Sequence, residues 1–375
     1  MMALRTPRRA VSAVFLFNGA LFGVWASRIP AFKTRFDLSE DMLGLLLLCL
    51  ALGAILSFPV AGGLIDRLGA LRVTRWTAMA YLAALLALPL APSVPVLAAV
   101  LLLFGATHGA MDVAMNGWAA EVERHLARPT MNFFHAMFSL GAGLGAGAGY
   151  LAVQSGLAPV AHFWLAGGAV AVLTLPFAWI AWHSARSGGG AVFALPRGPL
   201  VLVGLIAFSA SIGEGAMADW SAVFLATELS VTEAQAALGY AVFSVAMVAM
   251  RLAGDRAVQW MGPVRTARLF GAVAALGVVT AVAGGTFWLA LAGFALMGLG
   301  YAVIVPLAFS RAANDPDVSP GRALASVATL GYGGMLLGPP VIGFVAAATS
   351  LQVALLLLAG FALLIVALAA RLRTP

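Results

Sequence analysis

Three polar residues, His108, Asp112 and Asn116, recur at intervals of four in a long apolar stretch of this sequence. Four residues are close to one helical turn, so the three side chains share one face of a helix. An apolar surrounding favours the neutral form of a carboxyl, and Asp112 is therefore suited to take up and release a proton. The amide of Asn116 suits hydrogen bonding to hydroxyl or carboxylate groups.

A second polar stripe follows in the next apolar stretch, where Asn132, His135 and Ser139 again share a helix face. Counted along antiparallel helices at about 1.5 Å per residue, the two stripes reach similar depths. We therefore predict that they form one polar cluster, in which a histidine can share a proton or donate a hydrogen bond. The predicted proton- and solute-binding residues are Asp112, His135, Asn116, Asn132, Asn18, His108 and, in a later apolar stretch, Glu214.

Two other interpretations of these residues stay open at this point. Polar side chains between membrane helices commonly bond one another and hold the helices together. His108, Asp112 and His135 are also metal-ligand types, but no further ligand motif accompanies them, and we predict no metal site. An ionisable group inside a bilayer costs roughly 2.5–3.5 kcal/mol, and such groups usually have a function. We therefore favour the functional interpretation for Asp112.

The composition determines which solvent surrounds these groups. The chain is 62% hydrophobic and 9% charged, with mean hydropathy +1.01, so it has too few charges to cover a water-soluble surface. Lipid offers no water to backbone groups, which leaves helices or closed barrels. The long, unbroken apolar runs indicate helices, because barrel strands alternate apolar and polar residues.

Several function classes are not expected. The net charge of +7 comes from residues that end apolar runs, which argues against a nucleic-acid-binding surface. Cys49 is the single cysteine, so a disulfide framework is excluded. The glycine-rich tract 141–147 lacks the residues that complete a phosphate loop. No nucleophile–base arrangement stands out either, and we expect neither an enzyme nor a cofactor.

The apolar runs divide into about twelve spans, each near the roughly 20 residues that cross a bilayer. The predicted fold is an all-α membrane protein with two pseudo-symmetric six-helix bundles. A linker that contains Ser187-Gly188-Gly189-Gly190 separates them. The predicted domains are residues 1–183, a cytoplasmic linker 184–198, and residues 199–375. The sixth span is predicted at Ala161–Trp182.

The basic residues predict the orientation. Of 21 basic residues, Arg28, Lys33 and Arg35 fall on one side of the predicted spans, and the other 18 (21 − 3) fall on the opposite side. Positive residues stay in cytoplasmic loops, so both termini are expected in the cytoplasm. We expect the chain in a bacterial inner membrane, with its first apolar stretch retained as a helix.

An internal repeat relates the two halves. Asp66-Arg67 and Asp255-Arg256 interrupt apolar stretches 189 residues apart (255 − 66), close to half of the 375-residue chain. Closely spaced glycines recur in the fifth helix of each half, where they let helix backbones approach. Bundles duplicated in this way commonly enclose a solute site between their halves.

These features resemble the major facilitator superfamily, whose loop pattern is matched by Gly62, Leu64, Asp66, Arg67 and Gly69. Asp112-Val113-Ala114-Met115-Asn116 and Asn132-x-x-His135 are similar to the fucose-permease branch of sugar/proton symporters. That branch also has an acid on its first helix, where this chain has Asn18. The resemblance implies twelve helices, alternating access and a monomer.

The resemblance also implies an outer gate, because helices 1 and 7 of the superfamily approach each other outside. Arg28 is expected to pair there with Glu214, counted past mid-helix toward the outside, or with Asp219, beside Trp220. The alternatives are a permanent pair for Glu214 and an interfacial acid near water for Asp219. The inner latches are predicted at Asp66, Arg67, Asp255 and Arg256.

Taken together, the residues and the resemblance predict proton-coupled symport of a small polar, sugar-like solute, with protons and solute as partners besides lipid. A proton-antiporting exporter of drugs or metabolites would instead need a larger aromatic cavity and few specific hydrogen bonds. A solute receptor built on the same fold would bind without flux. Solute identity, direction and proton stoichiometry are left open by the sequence.

Overall fold

The computed structural model describes residues 6–126, 130–184, 196–318 and 320–373. Within these ranges, the side chains of residues 59, 66, 131, 132, 255, 313, 320–322, 324 and 325 lie outside the description. The described chain forms thirteen α-helices. They are α1 Pro7–Ala26, α2 Ile29–Arg35, α3 Glu40–Leu68, α4 Ala70–Ala87, α5 Val94–Leu126, α6 Met131–Gln154, α7 Pro159–Ala178, α8 Leu200–Glu228, α9 Glu233–Ala283, α10 Phe287–Tyr301, α11 Ile304–Ala313, α12 Pro320–Ala348 and α13 Leu351–Leu368.

Twelve segments of the described chain are long and apolar enough to cross a membrane, which confirms the predicted all-α fold. Two spans, Glu233–Gly254 and Arg256–Ala283, lie within α9. Inside the second span, α9 is kinked at Gly262, where φ is +75°, and Pro263 follows. Glycine adopts this left-handed conformation without steric cost, and proline has no N–H to continue the helix.

The sixth span ends earlier than the sequence suggested, at Ala178 instead of Trp182. Arg75 of α4 accounts for this end, because its guanidinium donates to the carbonyl oxygens of Ala178 at 2.8 Å and Ile180 at 2.9 Å. Those bonds satisfy carbonyls that have no partner once a helix ends. Residues 179–184 therefore leave α7 and run beside α4, where the Leu71 N–H donates to Ser184 Oγ at 3.0 Å.

The chain divides into two compact units, which we describe separately. The first contains Met1–Leu38 and Leu46–Val192, and the second contains Ser39–Leu45 and Phe193–Pro375. The beginning of α3 thus clusters with the second unit. The domain boundaries predicted from the sequence stay a prediction.

In the first unit, α1 and α6 approach each other so closely that glycine is required at their contact. A Cβ atom on Gly19 would collide with the carbonyl oxygen of Phe138, and a Cβ on Gly145 would collide with that of Ala20. Small residues at such contacts let helix backbones pack directly, which is the main packing force between helices in lipid. The predicted role of the glycines on the fifth span is confirmed here.

The second unit repeats this arrangement with α8 and α12. A Cβ on Gly334 would collide with the carbonyl oxygen of Phe208. Farther along the same contact, Trp220 is fully buried and its Nε1–H donates to the carbonyl oxygen of Pro339 at 2.9 Å. Pro340 follows in α12 and cannot donate a backbone hydrogen bond, so this stretch of α12 has fewer backbone hydrogen bonds of its own. The bond from Trp220 stabilises it.

Candidate functional site

Asp112 and Asn116 lie one turn apart on α5 and are joined as the spacing predicts. Asn116 Nδ2 donates to the backbone carbonyl of Asp112 at 2.9 Å and to its Oδ1 at 3.2 Å. Both side chains are half-buried. The amide therefore orients one carboxylate oxygen of Asp112.

One face of α1 connects the two predicted histidines. Phe15, Asn18 and Phe22 are spaced by three and four residues and share this face. The ring of Phe15 contacts His135 of α6 with centroids 5.3 Å apart, and the ring of Phe22 contacts His108 of α5 at 5.1 Å. Along α1, Asn18 therefore lies between Phe15 and Phe22, the two residues whose rings contact the histidines.

Asn18 is a buried polar residue of the first unit. Its side chain is 0% exposed, and neither Oδ1 nor Nδ2 has a hydrogen-bond partner in the described part of the chain. A buried polar group without a partner costs roughly 1–3 kcal/mol. Among the described residues, no hydrogen bond accounts for an amide at this position, and its role in binding stays a prediction.

His108 lies in an aromatic environment. Its ring contacts Tyr81 of α4 at 5.2 Å, and Tyr81 stacks on Phe104 at 4.8 Å. The buried Nδ1 atom of His108 has no partner among the described residues. These contacts favour packing over solute binding for His108, as one of the two interpretations anticipated.

The predicted union of the two polar stripes stays a prediction. The Asn132 side chain lies outside the description, and Ser139 Oγ donates to the backbone carbonyl of His135 at 3.3 Å. What the first unit establishes is that both stripes contact α1. Within the described ranges, no three His, Cys, Asp or Glu residues come together as a metal site would require.

In the second unit, the acid of α8 has an arginine partner that the sequence analysis missed. Arg251 Nη2 of α9 lies 3.2 Å from Glu214 Oε1 and 3.4 Å from Oε2. The side chains are 12% and 17% exposed, respectively. Arg251 had been counted among cytoplasmic loop residues, yet its span runs from Glu233 to Gly254 and encloses it. The position of Arg251 inside an apolar span was the feature of the sequence that could have predicted a partner within the membrane.

Glu214 is also placed differently along its helix. It lies 14 residues from Leu200 (214 − 200) and 14 from Glu228 (228 − 214), at the midpoint of α8 instead of toward its outer end. From the sequence, Glu214 is expected past mid-helix, whereas α8 continues to Glu228. A long arginine side chain from the final turn of the next span can therefore reach this acid.

Asp219 is buried, which argues against an interfacial acid near water. Its exposure is 5%, and its Oδ1 atom accepts no hydrogen bond from the described residues. Tyr240 of α9 lies within electrostatic range of Asp219, Glu214 and Arg251, and within hydrogen-bond reach of Ser244. Five polar side chains of α8 and α9 thus converge.

Comparison with known proteins identifies the family. The sequence pattern of the Major Facilitator Superfamily matches residues 10–317. The chain belongs to the major facilitator superfamily. The transporter y4wD of Sinorhizobium fredii is 47% identical over 372 residues, covering 98% of this chain and 99% of its own. An MFS-type transporter of Yersinia pestis is 36% identical, with 91% and 89% covered. The membrane protein MosC of Rhizobium meliloti is 34% identical, with 92% and 85% covered.

Solved structures share the major facilitator fold at low sequence identity. A bacterial homolog of the lysosomal transporter Spinster has a TM-score of 0.75 at 14% identity, covering 98% of this chain and 96% of its own. The nucleoside transporter NupG, as a point mutant, has a TM-score of 0.74 at 13% identity, with 98% and 100% covered. The E. coli fucose:proton symporter FucP has a TM-score of 0.65 at 17% identity, with 98% and 99% covered. These likenesses establish the fold and leave the solute of this superfamily member open.

The gating residues predicted for a major facilitator protein are placed as follows. Arg28 is 3% exposed, and its Nη2 atom donates to the carbonyl of Leu157 at 3.1 Å. Glu214 is bound to Arg251, so an Arg28 gate stays a prediction for another state of the protein.

The inner latches are described only in part. Arg67 and Arg256 are exposed, and the side chains of Asp66 and Asp255 lie outside the description. The inner latches also stay a prediction.

Proposed function

We propose that this major facilitator protein is a proton-coupled symporter of a small, hydroxyl-bearing polar solute. The observation that carries the proposal is the buried Asn18, flanked along α1 by the rings that contact His108 and His135. A solute hydroxyl can donate to Oδ1 of Asn18 and accept from Nδ2, which supplies the two hydrogen bonds that the amide lacks.

Asp112 provides the proposed proton site in the first unit. The Asn116 amide donates to Oδ1 of Asp112. A carboxyl oxygen can accept such a bond in the ionised and in the protonated form, so the bond is compatible with proton exchange. Neutralising a carboxyl lowers the cost of moving it into a closed, apolar surrounding. Protonated Asp112 would therefore favour closure around the solute, and deprotonation would favour opening.

Alternating access is the proposed mechanism, with the two units rocking about a solute site and with the monomer as the working unit. The proposed location is the bacterial inner membrane with both termini in the cytoplasm, which the distribution of basic residues supports. A reporter that is active only in the cytoplasm, fused to the carboxyl terminus, would test the orientation. Activity is expected, and an inactive but expressed fusion would contradict the orientation.

The function is tested by uptake into proteoliposomes under an imposed pH gradient. Radiolabelled fucose and a radiolabelled nucleoside are the first probes, because two transporters of this fold are named for such solutes. A wider panel of sugars can be ranked by thermal shift, since ligand binding raises stability by mass action. Asp112→Asn is expected to abolish uptake driven by the gradient.

The matched control is Asp37→Asn, which removes an exposed acid of the same charge. It should leave uptake unchanged. Uptake by Asp112→Asn at the rate of the natural protein would exclude the proton role of Asp112. Specific solute binding without flux in any gradient would favour the receptor alternative. Extrusion of an amphiphilic compound, coupled to proton entry, would favour the exporter.

A further inference from the structure

The second unit contains a group of interacting residues that the proposed mechanism has not used. We call it the α8–α9 cluster and define it as Glu214, Asp219, Tyr240, Ser244 and Arg251. Glu214 and Arg251 form an ion pair at 3.2 Å. Tyr240 interacts electrostatically with both of them and with Asp219. The cluster therefore extends from Glu214, at the middle of α8, to Asp219, nearer its carboxyl-terminal end.

The charges of this cluster do not balance when every group is ionised. Glu214 and Asp219 contribute two carboxylates, whereas Arg251 contributes one guanidinium. Arg251 lies against Glu214, and the Oδ1 atom of the 5%-exposed Asp219 has no hydrogen-bond partner among the described residues. An ionised carboxylate is rarely kept in such a place, because the unpaired charge costs several kcal/mol.

In the described part of the chain, no cation lies close enough to Asp219 to remove this excess charge. On its own helix the nearest ionisable residue is Glu214, which has the same sign. On α9, Tyr240 lies within electrostatic range of Asp219 and of Arg251. On α10, Tyr301 lies against Gly213 and is neutral at ordinary pH. On α12, the neighbouring contact is the backbone carbonyl of Pro339, bonded to Trp220.

We propose that Asp219 is a second proton-binding site of this protein, held neutral while Arg251 is bound to Glu214. The proton comes from water and bonds to one carboxylate oxygen of Asp219, with no other bond broken. A proton is the fitting ligand because it needs no cavity, and Asp219 is almost completely enclosed. Glu214 keeps Arg251 occupied, and so keeps the guanidinium from neutralising Asp219 in place of the proton.

The use of this site in transport rests on the proposed proton-coupled function, but its existence does not. Asp112 lies in the first unit and Asp219 in the second. Each unit would then carry its own titrating carboxyl. The inference is accordingly tested with a measurement that needs neither a solute nor flux.

The experiment is infrared difference spectroscopy of the purified full-length protein in lipid nanodiscs, recorded between acidic and alkaline pH. A buried, protonated carboxyl gives a carbonyl-stretch band that an ionised carboxylate does not. We expect Asp219→Asn to lose one such band that the natural protein shows at neutral pH. Asp219→Glu should retain a shifted band, and the exposed-site control Asp37→Asn should change nothing. A folded Asp219→Asn protein that keeps every band overturns the proposal.

A second variant tests the part played by the ion pair. Arg251→Gln removes the counter-charge of Glu214, so a new protonated-carboxyl band is expected, and Glu214→Gln added to it should remove that band. No new band would show that Glu214 does not depend on Arg251 and would overturn the charge argument. If the natural protein shows the Asp219 carbonyl-stretch band but no uptake driven by the gradient, the proposed function alone is wrong. If it shows uptake that depends on Asp112 but lacks this band, the present inference alone is wrong.

Discussion

Arg251 of α9 binds Glu214 at the midpoint of α8, with Nη2 3.2 Å from Oε1. The arginine comes from the last turn of its span and the acid from the centre of the preceding one. Buried ion pairs contribute little net stability, because desolvation offsets their attraction, but removing one partner is costly. This relationship makes the pair suited to switching, since either charge can be compensated by a proton or by another partner.

The first prediction concerns the energy of this pair. Arg251→Gln leaves Glu214 without a counter-charge and is expected to destabilise the protein. The loss should not exceed roughly 3–5 kcal/mol, which is the cost of removing one partner of a fully buried ion pair. The double variant Glu214→Gln/Arg251→Gln should recover most of the loss. Thermal unfolding in detergent of both single variants and the double variant measures the coupling.

Arg256→Gln is the control for this prediction, because Arg256 lies on the same helix and is exposed. It should change stability by no more than about 0.5 kcal/mol, as surface substitutions usually do. Additive losses in the double variant would mean that Glu214 and Arg251 do not act as a pair.

The second prediction uses neighbouring glycines of α6 and α12. Gly145→Ala would place a methyl group against the Ala20 carbonyl, and Gly334→Ala would place one against the Phe208 carbonyl. The helices must then separate, and overpacking of this kind typically costs about 1–3 kcal/mol. A lower unfolding temperature is expected for both variants.

The controls for these glycines are Gly147→Ala and Gly333→Ala, whose added methyl groups meet nothing within 4 Å. Both controls should match the natural protein or exceed it slightly, because alanine is the better helix former. If all four variants unfolded at the same temperature, direct backbone contact at Gly145 and Gly334 would be wrong.

The glycines also show which features of the fold can be predicted from the sequence. Helix faces follow from periodicity, so the sequence could predict that Gly141 and Gly145 face another helix and that Asp112 and Asn116 share a face. It could not predict which helix is opposite, because contacts between distant segments leave no spacing pattern. Arg251 was therefore counted with the cytoplasmic basic residues, although its partner Glu214 was already recognised as an unusual acid.

The third prediction concerns the segment that follows α7. Arg75 donates to the carbonyls of Ala178 and Ile180, which fixes the chain beyond the helix end. Arg75→Ala should free this segment and increase hydrogen exchange at residues 179–184, with little change elsewhere. Hydrogen exchange read by mass spectrometry measures local opening of this kind.

Arg72→Ala serves as the matched control, since it removes an equal charge from an exposed position of the same helix. Exchange at residues 179–184 should be unchanged in that variant. Equal effects of the two substitutions would indicate that positive charge near the bilayer, and not the pair of carbonyl bonds, holds the segment.

The fourth prediction separates stability from function at Asn18. Its amide has no hydrogen-bond partner among the described residues, so Asn18→Leu removes an unsatisfied polar group and keeps a similar volume. The variant is expected to be as stable as the natural protein or more stable, by up to about 1–3 kcal/mol. Solute-dependent thermal shift and uptake should nevertheless be lost, because the proposed hydrogen bonds to the solute are lost.

Asn116→Leu provides the contrast, because the Asn116 amide donates to Asp112 at 2.9 and 3.2 Å. Removing these bonds should lower both stability and uptake, whereas Asn18→Leu should lower uptake alone. This difference follows from the hydrogen bonds of the two amides, since Asn116 has partners and Asn18 has none among the described residues. A clear loss of stability in Asn18→Leu would mean that Asn18 is a packing residue, and the proposed solute contact on α1 would have to be abandoned.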